Sequence, residues 1–289
     1  MWQGSTRARK PGIQSRYDRG MPLQAAFDLS GRVSVITGAG SPDGIGFATA
    51  RMLAELGSAV MVTATSARID DRVSELRRAG FDTAGFTADL TDADAASGLV
   101  SATLRNWGRL DIVVNNAGMI STTNPDFEEG TVGSTSLATW QASLSRNLTT
   151  AFLVTQAALP AMTRGGWGRI IMVASVTGPV MAMRGDVPYA TAKAGMVGLT
   201  RAAAIDAAAD GITVNAIAPG WIATGSQTPQ EHEEGLVTPI GRSASPGEVA
   251  AAIAWLATPG ASYITGQCVV VDGGNSIAEQ RAAPPHPQS

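Results

Sequence analysis

Tyr189 and Lys193 lie four residues apart in the run Tyr189-Ala190-Thr191-Ala192-Lys193. On a helix, positions i and i+4 share a face, so a phenol and an ammonium placed there can serve one site. A cation within a few ångström favours the phenolate and lowers the hydroxyl pKa from its usual value of about 10, which suits the group to proton exchange. The lysine is also scarce. Lysine and arginine together number 21, and only two of these are lysines: Lys193, and Lys10 in a polar N-terminal stretch. Arginine fills every other cationic position, so a retained lysine points to a need for a compact ammonium that a planar guanidinium does not replace.

The elements that must carry this pair alternate in type along the chain. Apolar, β-branched runs predict strands at Arg32–Thr37, Ala59–Thr63, Ala84–Ala88, Leu110–Val114, Arg169–Ala174, Thr213–Ile217 and Cys268–Val271. Helical patterns fill the intervals: Phe47–Leu56, Arg68–Ala79, Ala93–Trp107, Leu137–Met162, Tyr189–Ala209 and Glu248–Ala257. Strictly alternating strands and helices mean right-handed βαβ units. The expected fold is therefore α/β: a single-domain, Rossmann-type, doubly wound parallel sheet of about seven strands with helices on both faces. In such a sheet ligands bind at the carboxyl ends of the strands. Thr37, Thr65, Asp89, Asn115, Ser175 and Pro219 all follow strands and should converge there.

The turn from the first strand to the first helix reads Thr37-Gly38-Ala39-Gly40-Ser41-Pro42-Asp43-Gly44-Ile45-Gly46. Glycines let a backbone approach a pyrophosphate, and a helix N-terminus supplies N–H groups and a positive dipole. Gly38, Ser41, Gly44 and Ile45 are the expected phosphate contacts. After the second strand, a carboxylate would bind adenosine ribose hydroxyls and repel a 2′-phosphate. The chain has Thr65, Ser66 and Arg68 instead, which favours NADP over NAD, although Asp43 opposes this if it faces the same phosphate.

These motifs make the chain similar to the short-chain dehydrogenase/reductases over roughly Leu29 to Gly274. The resemblance rests on Thr37-Gly38 with Gly44-Ile45-Gly46, Asp89, Asn115-Asn116-Ala117-Gly118, Ser175, Tyr189 with Lys193, and Asn215-Ala216-Ile217-Ala218-Pro219-Gly220. Within that family, Thr63–Ser66, Gly211–Asn215 and Tyr263–Gly266 look most like bacterial 3-oxoacyl-[acyl-carrier-protein] reductases, which use NADPH. The resemblance implies that Tyr189 acts as general acid in reduction or base in oxidation, and that Ser175 hydrogen-bonds the substrate oxygen. It implies that Lys193 holds the nicotinamide ribose and that Asn147 holds a water relaying protons to Lys193. It further implies that Asn116, Ala117 and Gly118 line the cofactor, that Asp89 and Leu90 meet adenine, and that Pro219, Gly220, Ile222 and Thr224 meet the nicotinamide end. The implied activity is interconversion of a ketone and a secondary alcohol, and the implied assembly is a homotetramer or dimer. An NAD-dependent alcohol dehydrogenase and a non-catalytic dinucleotide-binding protein are the competing functions.

The chain departs from the family in three places. Five residues separate Gly38 from Gly44 where three are usual, and the stretch from Gly118 to Asn147 is long, with Asp126, Glu128 and Glu129 in it. Asp210 replaces a base on which carrier-protein reductases dock their acidic partner. Like charges oppose docking, so the substrate is expected to be a small free ketone or alcohol, or a coenzyme A ester. A polar lid should span Trp221 to Thr238, and Met181 and Met183 are candidates for lining an adaptable apolar pocket.

Composition limits the rest. A net charge of −3 argues against a nucleic-acid partner. One cysteine, Cys268, fits a reducing compartment, and no apolar run reaches the roughly 20 residues needed to span a bilayer, so a cytoplasmic enzyme is expected. His232 and His286 read as solvated, and no group of side chains has metal-ligand spacing. The domain is expected over 28–275. Residues 1–27 read as a tail in which Met21 offers an alternative start, and 276–289 read as a Pro-rich tail.

Overall fold

The computed structural model describes residues 21–118 and 129–279. Seven strands form one sheet: β1 (Val33–Ile36), β2 (Ala59–Ala64), β3 (Thr83–Thr87), β4 (Ile112–Asn115), β5 (Gly168–Val173), β6 (Ile212–Pro219) and β7 (Cys268–Val271). Their spatial order is β3-β2-β1-β4-β5-β6-β7, and every neighbouring pair is parallel. The order reverses at β1 and β4, which puts a crevice beyond their carboxyl ends, where such sheets bind ligands.

The helices are α1 (Leu23–Phe27), α2 (Ile45–Glu55), α3 (Arg68–Arg78), α4 (Ala93–Trp107), α5 (Leu137–Leu144), α6 (Thr150–Gly165), α7 (Val187–Ala207), α8 (Pro229–Leu236) and α9 (Pro246–Ala257). Because both faces of the sheet are covered, alternate strand residues enter separate cores. Ile36, Val62, Val114 and Ile171 pack with α2, α3 and α9. Val35, Met61, Val113 and Met172 pack with α4, α6 and α7. Each fully buried Leu or Ile contributes about 2 kcal/mol of transfer free energy.

The structure changes two readings from the sequence. Helical structure begins inside the stretch read as a tail, at α1, a short helix that buries no residue; the earlier part of that stretch lies outside the described residues. The helix expected over 137–162 is three pieces. Between α5 and α6 lies a π-helical turn, Ser145–Thr149, in which Thr150 N–H reaches back to Ser145 O. Single π turns inside α-helices concentrate at functional sites, and this one contains Asn147.

Candidate active site

α7 begins at Val187 with Pro188 in its first turn, where a missing N–H costs nothing. It carries Tyr189 and Lys193 on one face, with Lys193 Nζ 5.5 Å from the centre of the Tyr189 ring. Lys193 is 3% exposed, and its Nζ donates to Val173 O at 3.0 Å, the last residue of β5. The π turn brings Asn147 to the same place. A methyl group built on Gly118 would lie 2.7 Å from Asn147 Oδ1 and 3.4 Å from Lys193 Nζ. Gly118, Asn147 and Lys193, from three separate elements, therefore meet at one point. Asn147 is buried and its amide donates to Ser143 O at 3.2 Å. Ser175, two residues past β5, accepts a hydrogen bond from Thr177 N–H at 3.1 Å and also stabilises the Tyr189 phenolate.

The electrostatics differ from the expectation that Lys193 would lower the Tyr189 pKa. Burial pushes Tyr189 up to about 12, against the pull of Ser175, and the carboxylates of Asp186 and Glu231 raise it further. Burial also pushes Lys193 down to about 8. Desolvation disfavours both ions, so the free protein holds the tyrosine as a neutral phenol.

At the phosphate end, Thr37 ties two strand ends together. Its hydroxyl donates to Val114 O and accepts from Asn116 N–H at 3.0 Å and Ala117 N–H at 2.9 Å. The Asn116 amide donates to the carbonyls of Thr37 and Gly38, both at 3.0 Å, so this side chain shapes the glycine turn. Gly38 has φ +68° and a methyl there would be 2.8 Å from Ala117 Cα, which only glycine allows. Within the longer loop, Pro42 and Asp43 lie in a turn closed by Gly44 N–H to Ser41 O. α2 then starts at Ile45, with no side chain capping its N-terminus and no acid in its first turn. Those N–H groups are suited to phosphate.

Arg68 lies across this turn, since a methyl on Gly40 would be 2.5 Å from Arg68 Nε. It opens α3, where a cation is disfavoured by the helix dipole, so capping does not explain it. Asp43 faces the lid: a methyl on Gly225 would be 3.4 Å from its Oδ2. Thr65 and Ser66 are half-buried between β2 and α3. Asp89 accepts from the N–H and hydroxyl of Thr91, and Asp92, not Asp89, caps α4. The Leu90 side chain is buried in the core beside α4, which leaves only its backbone to meet a ligand. Pro219 ends β6, and Gly220 N–H donates to Val271 O. Ile222 packs against the core and Thr224 shares a hydrogen bond with Ser226. The lid holds α8, closed by a capping box of Thr228 and Glu231 that the sequence reading missed.

A sequence profile described as enoyl-(acyl carrier protein) reductase matches residues 38–276. Cis-4-hydroxycyclohexanecarboxylate dehydrogenase of Sinomonas cyclohexanicum is 40% identical over 84% of this chain and 96% of its own. The 3-oxoacyl-[acyl-carrier-protein] reductase of Synechocystis sp. is 39% identical over 85% of this chain and 97% of its own. Among solved structures, a Serratia marcescens short-chain dehydrogenase/reductase superposes with a TM-score of 0.77 at 34% identity, covering 86% of this chain and 99% of that one. The chain belongs to the short-chain dehydrogenase/reductase family.

Members of this family are oxidoreductases that interconvert carbonyl and alcohol groups of small molecules with a nicotinamide dinucleotide. For this short-chain dehydrogenase/reductase, two sequence expectations move. Asp210 precedes β6, at the opposite end of the sheet from the site, and accepts from Thr163 Oγ1. Within one chain it does not stand beside the site, so it no longer argues against a carrier-bound substrate. Met183 is exposed, and half-buried Met181 has its sulfur against the Asn275 amide at 3.7 Å. Asp126 and Glu128 lie outside the described residues; Glu129 lies within them. No group of metal-ligating side chains occurs among the described residues, and no helix there is long and apolar enough to cross a membrane.

Proposed function

We propose that this protein is an NADP(H)-dependent reductase of small ketones, running reversibly on secondary alcohols, with Tyr189 as the proton donor and acceptor. The meeting of Asn147, Gly118 and Lys193 beside Tyr189 carries this reading. When bound, the nicotinamide supplies or removes the hydride. The chain's own residues do the rest. Ser175 holds the carbonyl oxygen and Tyr189 gives that oxygen its proton. A phenol held at high pKa is the correct protonation state for an acid, and the charge developing on the substrate oxygen draws the proton off. Lys193 and Asn147 orient the nicotinamide ribose and a water through which the tyrosine is reprotonated.

NADP is favoured because the cation of Arg68 lies over Gly40 in the glycine turn while Asp43 faces Gly225. Titration with both dinucleotides tests this. Arg68→Ala should weaken NADPH at least about tenfold, the scale of a charge-assisted contact, and change NADH little. Tyr189→Phe should abolish turnover and keep dinucleotide binding; a variant with most of its activity refutes the assignment. A homo-oligomer, a tetramer by family resemblance, is supported by exposed Phe152 on α6, Ile205 on α7 and Val270 on the edge strand β7. Light scattering of the purified chain tests it. The single cysteine supports a cytoplasmic location.

A further inference from the structure

Asp186 is the residue before α7, three positions ahead of Tyr189. Aspartate favours this position because its carboxylate accepts from the first free N–H groups of the helix. Here it does not: the cap has no side-chain hydrogen bond. Asp186 is 8% exposed, and its Oδ1 is buried without a hydrogen-bond partner. The backbone around it is firmly held. Gly130 N–H donates to Gly185 O at 2.7 Å, Val187 N–H to Gly130 O at 3.2 Å, and Ala190 N–H to Asp186 O at 2.9 Å. The main chain at Asp186 is thus held one turn ahead of Tyr189, and one of its carboxylate oxygens has no partner.

Its surroundings are acidic. Burial, and then the charge of Glu129, push Asp186 up to about 6, and among the described residues no basic side chain offsets them. Tyr189 feels both Asp186 and Glu231 of the lid. Glu129 thus acts on Asp186, and Asp186 and Glu231 act on Tyr189, from three segments: the one before α5, the start of α7, and α8. Arg184, the nearest arginine along the chain, is exposed. A buried, ionised carboxylate is costly unless something pairs with it. A hydroxyl would satisfy its lone pair and leave the charge. An ammonium satisfies both, whereas a second anion would be repelled.

Resting on the reading of Tyr189 as the proton donor, we propose that Asp186 is a specificity residue whose free oxygen pairs with an ammonium group on the substrate, so that the protein acts on short amino ketones and the amino alcohols they become. The bond changes stay those of the parent reaction: hydride to the carbonyl carbon, and the Tyr189 proton to its oxygen.

Three three- or four-carbon ketones differing in charge test this at pH 7: aminoacetone, hydroxyacetone and acetoacetate, each with saturating NADPH and with saturating NADH. The expected order of kcat/KM is aminoacetone, then hydroxyacetone, then acetoacetate, with at least about tenfold from first to second, the scale of one charge-assisted pair. In Asp186→Asn the ratio of aminoacetone to hydroxyacetone should fall by at least about tenfold, chiefly through the aminoacetone KM. A wild-type protein that prefers acetoacetate, or an Asn variant that folds and keeps the wild-type ratio, overturns the role of Asp186. The wild-type ranking decides the matter by itself if the variant does not fold. Failure of all three ketones with both dinucleotides overturns the catalytic reading beneath, and this one with it.

Discussion

Gly118→Ala probes the candidate catalytic centre without removing any polar group. The added methyl would lie 2.7 Å from Asn147 Oδ1, 3.4 Å from Lys193 Nζ and 3.6 Å from Asn147 Cγ. Ordinary contact requires the amide to retreat by about 0.5 Å or more. It has little room to do so, because Asn147 is 2% exposed and its amide already donates to Ser143 O at 3.2 Å inside the π turn. Overpacking of this kind costs about 1–3 kcal/mol. For a domain of this size that lowers Tm by roughly 2–10 °C. The effect on rate should be larger than the effect on folding. Misplacing a positioned group by about 1 Å costs about a hundredfold, and here Asn147 moves by part of that. The expected kcat/KM is therefore about ten- to a hundredfold below wild type. Thermal melts and steady-state kinetics on the same preparation measure both effects. Gly133→Ala is the control, because nothing lies within 4 Å of its methyl. A Gly118→Ala protein that melts and turns over like the control would mean that Asn147 and Lys193 do not share the space above Gly118.

Other expectations follow from the same geometry. Lys193 titrates at about 8 in the native protein, through burial, and near 10.5 when unfolded. Between those values the unfolded chain holds the extra proton, so native stability should rise with pH across that window, by about 3 kcal/mol at most. Lys193→Met should lose this rise, as urea midpoints at pH 7 and pH 9.5 would reveal; an unchanged slope refutes the assignment. Lys193→Arg keeps the charge, but the larger fork does not fit a pocket that ends at Val173 O, so kcat should fall about a hundredfold or more. At the other end of the sheet, Arg169 is 1% exposed, donates to Thr258 O and Ser262 Oγ, and stacks on Trp167 at 4.1 Å. Arg169→Ala removes this buried hydrogen-bond network and the stacking on Trp167, so unfolding free energy should fall by about 2–5 kcal/mol while kcat of the folded fraction stays near wild type.

Parallel strands covered on both faces read as short apolar runs, so all seven strands were visible in the sequence with small errors at their ends. The candidate site was legible for a related reason. In this topology ligands meet the segments that follow strands, and the candidates Ser175 and the Asn115–Gly118 run lie there. What stayed hidden depends on three-dimensional facts that a linear pattern does not carry. The stretch Leu144–Thr150 has ordinary helical periodicity, yet one i→i+5 bond turns Asn147 inward. Asp210 adjoins a family motif, but adjacency in sequence does not say which end of a strand a residue occupies. For Tyr189, spacing reveals the neighbouring cation and not the burial that pushes its pKa up. Asp186 was passed over because aspartate before a helix explains itself as a cap. That explanation fails in three dimensions, where the cap makes no side-chain hydrogen bond and one carboxylate oxygen is buried with no partner. A residue type that satisfies a local rule, in a structure where the rule is not used, is what the linear pattern conceals here.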